Sequence, residues 1–211
     1  MGVFAITVSC VSINSFKSTG NTSYIISENN IDTLIDKTYI EEDDGMLKTP
    51  YKVSKQGENF IKGHEKLRLN KYLIKGEKYY TVGWGHQVRE KNIPYSIDIE
   101  YAQRLFDDDM NKVNASINRL IKELPDNFDV TQCFIDGLGS LVFNCGESGI
   151  RNSEFFMRLK RCRFDENGNI NMNDWVYTIE TLKYTKVFMN GHKTRRMNEY
   201  NLIKHGRYDT I

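Results

Sequence analysis

The chain of 211 residues, 39% hydrophobic and 12% aromatic, is long enough to bury one substantial core and to carry a small appendage. No apolar window approaches the length of a bilayer span, so a stable membrane-spanning segment is not expected. The net charge of +1 hides an asymmetry: residues 1–50 hold three lysines against seven acidic residues, which leaves +5 for the remainder. A surplus that small suits a solvated surface as well as an anionic polymer.

The first fifty residues are taken as an N-terminal extension. Val3 to Ile13 is apolar and reads as an export signal ending near Cys10, although no Lys or Arg precedes it. A strand added to a partner, or a missing basic leader, would explain it equally well. From Ser15 to Asn30 the chain is rich in Ser, Thr and Asn, and Ile31 to Leu47 is acidic, the composition of a tether. The domain boundary falls near Thr49–Pro50, with one domain over 51–211.

From Ser54, a plausible N-cap, Phe60, Ile61 and His64 mark a short amphipathic helix that ends at Glu65. The period then changes. Leu67, Leu69, Tyr72 and Ile74, and again Tyr80, Val82 and Trp84, alternate around Lys75-Gly76-Glu77-Lys78, the pattern of two short strands and a turn. Glu65 therefore stands where a helix hands over to a sheet.

Beyond a polar connection with Pro94 the chain becomes helical. Ala102, Leu105, Phe106, Met110, Val113, Ile117, Leu120 and Ile121 keep three-and-four spacing, as one long helix or two broken near Asn114. Leu124-Pro125 stops it. Val130 to Val142 is apolar on most faces and should be the central helix, ending where Gly146 can supply a left-handed turn. Ser153 caps a helix carrying Phe155, Phe156 and Leu159, and Asp165–Asn169 reads as a turn, since Ile170 stands where a calcium loop needs glycine. Trp175, Val176, Ile179 and Leu182 form another helix, and Asn190-Gly191-His192 turns the chain into a last one that carries Arg195, Arg196, Glu199 and Tyr200. Cys133, Cys145 and Cys162 lie within or beside these apolar patterns, and without a C-x-x-C spacing they read as small buried hydrophobes.

Three segments in order carry a resemblance. H-E-K-L-R-L with Tyr72 and Thr81-Val82-Gly83-Trp84-Gly85-His86, then V-F-N at 142–144, then W…N-G…R-R ending in Arg195-Arg196 with Glu199, are similar to the phage-type lysozymes, the glycosidase family that includes the T-even phage enzyme. The likeness covers roughly residues 52–208. It implies an α+β, lysozyme-like fold, with a small β-hairpin lobe at about 67–93, a larger helical lobe at about 97–208, and a substrate cleft between them. It also implies a peptidoglycan-cleaving muramidase of phage or prophage origin, acting on the bacterial wall from the periplasm or exterior. The expected partner is peptidoglycan and not nucleic acid, and a monomer is expected.

Breaking a glycosidic bond needs an acid for the leaving oxygen and a second group that stabilises the developing charge or activates water. The resemblance gives the acid role to Glu65, approached by Arg195, and a water-holding role to Thr81, with His86 and Asn144 as supporting groups. The family's aspartate is absent: its position, two residues after Tyr72, holds Ile74, and the hairpin is one residue longer. Glu77, the turn's only acid, is either its replacement or a solvated turn residue. Three functions follow: a hydrolase, a lytic transglycosylase in which the sugar's own hydroxyl attacks, or an inactive wall-binding or virion module. No cofactor is implied, because neither acid catalysis nor water positioning needs one. His64 and His86, one on either side of the hairpin, read as packing groups and not as metal ligands.

Overall fold

The computed structural model describes residues 50–74, 76–89, 93–186 and 190–210. The export-signal and tether expectations for residues 1–49 fall outside them. Six helices and one small sheet follow in the order α1 (Lys55–His64), β1 (Arg68–Leu73), β2 (Tyr80–Gly83), β3 (His86–Val88), α2 (Ile99–Ile121), α3 (Gln132–Arg151), α4 (Glu154–Leu159), α5 (Met172–Leu182) and α6 (Asn190–His205).

The sheet is an antiparallel meander in the order β1-β2-β3. The sequence pattern predicts only two strands; β3, three residues long, is too short to show a period. Tyr72 pairs with Thr81 and Leu73 with Tyr80, while a bulge separates this register from the Arg68–Gly83 pair. The alternation on β1 does not translate into burial, for Leu67, Leu69 and Leu73 stay exposed. Its outer edge is partly covered by the segment around Ser96, where Lys71 N donates to Tyr95 O and Ile97 N to Leu69 O. Val82, Ile93, Ile97 and Ala102 form a small core that seats the sheet on α2.

The main core lies among the helices, with Ile61 of α1, Phe106 and Ile117 of α2, Leu138 and Leu141 of α3, Phe155 and Phe156 of α4, and Ile179 of α5. α2 runs unbroken through Asn114, because Asn114 and Asn118 have partners. Asn114 Oδ1 accepts from Val53 N, and the Asn118 amide both accepts from Tyr51 N and donates to Tyr51 O. Polar groups on an apolar face are tolerated when hydrogen-bonded, and these two hold the incoming chain flat against α2.

α3 is central, as its composition predicts. Gly137 lets α6 come close: a Cβ there would lie 2.3 Å from Ile203 Cγ1. At Gly146 the helix breaks (φ 72°, ψ 158°), a region open essentially to glycine alone, but helical turns resume to Arg151. The Asn190–His192 segment, expected as a turn, opens α6 instead.

One carboxylate of α3 ties distant parts of the chain together. Asp136, fully buried, accepts from Ser54 N (2.7 Å), Ser54 Oγ (2.5 Å), Gln132 Nε2 (2.8 Å) and Tyr208 OH (2.7 Å). Ser54 is also the N-cap of α1, accepting from Gly57 N at 3.0 Å. The helix that delivers Glu65 is thus fixed at its start to the core and to the segment after α6.

Candidate active site

Glu65 is the C-cap residue of α1, its backbone extended (φ −99°, ψ 127°) and its N–H still donating to Ile61 O and Lys62 O. That geometry turns the chain from helix to sheet and directs the carboxylate toward the junction of the two lobes. Glu65 Oε1 accepts from Arg195 Nη1 at 2.5 Å, and the side chain keeps 22% of its exposure. Oε2 carries no hydrogen bond to a described residue and faces the turn between β2 and β3, where a Cβ on Gly85 would lie 3.4 Å from it and 3.9 Å from Phe143 Cε1. Gly83 and Gly85 both have positive φ (64° and 88°), so a tight turn around Trp84 is available there without side-chain bulk.

Behind Glu65 lies a buried ionic network. Arg195, 6% exposed, also donates through Nε to Glu199 Oε1 (3.2 Å) and through Nη2 to Ser140 O and Oγ (3.2 and 3.3 Å). Glu199, wholly buried, accepts from Ser140 Oγ (2.6 Å), and its Oε2 lies 3.0 Å from Arg196 Nη1. Arg196 reaches on to Asn144 Oδ1 (2.6 Å) and Cys145 Sγ (3.6 Å). The Arg195 charge is therefore divided between Glu65 and Glu199. Sequence reasoning missed Ser140 and quoted Arg196 and Glu199 in the closing motif without giving them a role; the charged trio spaced i, i+1, i+4 beside buried residues was the available signal.

His64 precedes Glu65 and packs edge-on against Phe60 at 4.8 Å. Its Nε2 is buried without a hydrogen bond to a described residue. Burial, with the charges of Arg195 and Arg196 adding to it, lowers its pKa to about 4, so the ring is neutral near pH 7. His86 lies on β3, where its Nδ1 meets Asp109 Oδ2 at 2.8 Å, pinning β3 to α2. Burial works to raise the Asp109 pKa, but the hydrogen bonds from His86 and Lys112 outweigh it and leave the carboxyl below its ordinary value.

Thr81 sits on β2, 6% exposed and opposite Tyr72, and its hydroxyl is not committed to any described residue. Glu77 is exposed in the β1–β2 turn, apart from the Glu65–Arg195 network. Its N–H donates to Ile74 O (2.9 Å) with Gly76 at φ 95° between them. That four-residue turn brings the Glu77 and Ile74 Cα atoms within about 7 Å of each other. Among the described residues no group of three or more His, Cys, Asp or Glu could hold a metal ion. A cavity of about 780 Å³ lies between α4 and α5, lined by Glu154, Arg158, Asp174 and Tyr177, and includes none of these candidate residues.

The three-stranded sheet, the helical body and a glutamate at the end of the first helix define a lysozyme-like α+β fold. An endolysin from the Escherichia coli O157:H7 phage FAHEc1 superposes with a TM-score of 0.59 at 24% identity, covering 75% of this chain and 97% of that one. The muramidase domain of SpmX from Asticaccaulis excentricus gives 0.57 at 22% identity, covering 73% and 98%. The phage lysozyme family model matches residues 62–199, and the chain belongs to that family. It is 31% identical over 163 residues to an endolysin of Bacillus phage B103, covering 75% of this chain and 56% of that protein. An endolysin of Bacillus phage PZA is 30% identical over 112 residues, covering 53% and 42%. The chain thus spans about half the length of the curated relatives it matches.

Proposed function

We propose that this chain is a muramidase that hydrolyses the bond between N-acetylmuramic acid and N-acetylglucosamine in bacterial peptidoglycan, and so lyses the wall. One observation carries the reading: Glu65 is anchored through Oε1 by Arg195, while Oε2 makes no hydrogen bond to a described residue and faces the Gly85 turn. A general acid needs that division, one oxygen fixing its orientation and the other free to hand a proton to the leaving sugar oxygen. Thr81, on the same sheet and with a hydroxyl not committed to any described residue, orients the water that adds to the anomeric carbon. Glu77, across the turn from the position where the family carries its aspartate, supplies the second carboxylate. His86 and Asn144 act indirectly, His86 by holding β3 to α2 and Asn144 by holding Arg196 beside Glu199.

Lytic transglycosylation is the second reading, favoured by Ile74, an exposed apolar residue where the family places its acid. Purified walls incubated with the protein should lose turbidity and release fragments ending in a reducing muramic acid. Fragments ending in an anhydro sugar would move the assignment to the transglycosylase, and intact walls would leave a binding module.

A further inference from the structure

Lys62 stands one helical turn before Glu65 and on the same side of α1. Its Nζ lies 4.2 Å from the centroid of the Trp84 ring and 4.4 Å from that of Phe106, and it donates to Gln103 Oε1 at 2.5 Å. Both distances are well inside the range in which an ammonium is attracted to an aromatic face. Trp84 and Phe106 also meet edge to face at 5.8 Å, and Phe106 lies 5.7 Å from Phe143. Three elements converge on this one charge: α1, the β2–β3 turn through Trp84, and α2 through Phe106 and Gln103. Taking the ammonium partly out of water lowers its pKa below the ordinary lysine value, with Lys55 adding to the effect, so the site retains a cation at a cost.

Trp84 is the residue between Gly83 and Gly85, and Gly85 is the backbone that borders Glu65 Oε2. The β2–β3 ladder closes this turn at the Val82–His86 pair, and the contacts of the Trp84 side chain tie the closed turn to α1 and α2. We propose that Lys62 is a positioning residue for the acid, a clasp on Trp84 that holds the Gly83–Gly85 turn against Glu65 and so fixes the space in which Oε2 meets the glycosidic oxygen. The inference rests on the muramidase reading and adds a determinant of it: the same face of α1 supplies both the acid and the grip on the wall opposite.

The test is a double-mutant cycle on wall lysis with Lys62→Met, which keeps the length and removes the charge, and Trp84→Leu, which removes the ring. Lys62→Met is expected to lower kcat at least tenfold with KM within twofold, Trp84→Leu to do the same, and the double variant to lose little more than either alone. Lys62→Arg, which preserves a cation over the rings, should recover most of the loss. In a Trp175→Phe background, where Trp84 is the sole indole, Lys62→Met should shift its emission while the helical circular dichroism is retained. A Lys62→Met protein that lyses walls within twofold of wild type, losses that multiply in the double variant, or an unshifted Trp84 emission would each overturn the clasp and leave the muramidase reading standing. A wild-type protein without lytic activity would overturn both.

Discussion

The acid and the hairpin turn, both assigned to one reaction, are built in opposite ways. Glu65 is held by Arg195, 130 positions away, in a network whose inner members, Arg195, Arg196 and Glu199, are all buried. Glu77 is held by a single local turn, exposed, with no hydrogen bond or ion pair from its side chain to a described residue. A group in a buried ionic network is costly to misplace, because every partner left behind is an unpaired charge out of water. A group on a turn is free to be replaced, and the turn to gain or lose a residue, without consequence for the core. On the proposed assignment, that difference lets the aspartate implied by the resemblance be absent at Ile74 while Glu65 and Arg195 stay paired.

The comparison breaks first at Glu65. Glu65→Gln keeps shape and the Arg195 contact but cannot donate its proton, so lysis should fall by about 10²-fold or more in a turbidity assay. Activity unchanged in that variant would remove Glu65 from the chemistry. Next is Arg195→Met, which strands Glu199 in the core with Arg196 as its remaining cation; a loss of about 3 kcal/mol is expected, read as a lowered urea midpoint at unchanged slope. Glu77→Gln sharpens the contrast, with lysis reduced at least about tenfold and stability altered by less than ~0.5 kcal/mol. Full activity there would empty the role proposed for the turn and favour the transglycosylase.

The smallest effect is in pH. His64 titrates at about 4 in the fold and at its ordinary 6.5 when unfolded, so between those values the unfolded chain binds a proton that the folded one refuses. Stability should therefore be insensitive to this group above pH 6.5 and fall as pH drops toward 4, by on the order of 1 kcal/mol since the ring is only part buried. His64→Gln should flatten thermal melts across that window. Glu147, held near 2 chiefly by the Arg119 hydrogen bond against an ordinary value of 4.5, adds its own loss of stability only below about pH 5, so the His64 contribution is read between about pH 5 and 6.5.

Much of this molecule is legible in its residues. Ser54, Leu124-Pro125 and Ser153 mark element ends by local chemistry, and the apolar runs around Phe106 and Leu138 mark the helices that meet in the core. The resemblance adds the Glu65–Arg195 pairing, which joins residues 130 positions apart and which no local period encodes. What escapes is of two kinds. β3 is too short to have a pattern, and Gly146 ends one helical stretch only for another to begin at once. The rest is polar matter whose meaning lies in its partner: Asn114 looks like a helix breaker until Val53 is beside it, and Lys62 looks like a solvated lysine until two rings 22 and 44 residues on close over it.

Asp136 gives the fold a consequence in time. Its carboxylate is complete only when Ser54, 82 residues before it, and Tyr208, 72 after it, have both docked. Closing loops of that size consumes chain entropy before any contact repays it, so this knot is expected to form after the barrier, late in folding. Interactions made after the barrier leave the folding rate alone and slow escape from the native state. On that expectation Tyr208, together with Ser54, slows the release of α1 from its docked position more than it speeds folding, a gain in native-state lifetime.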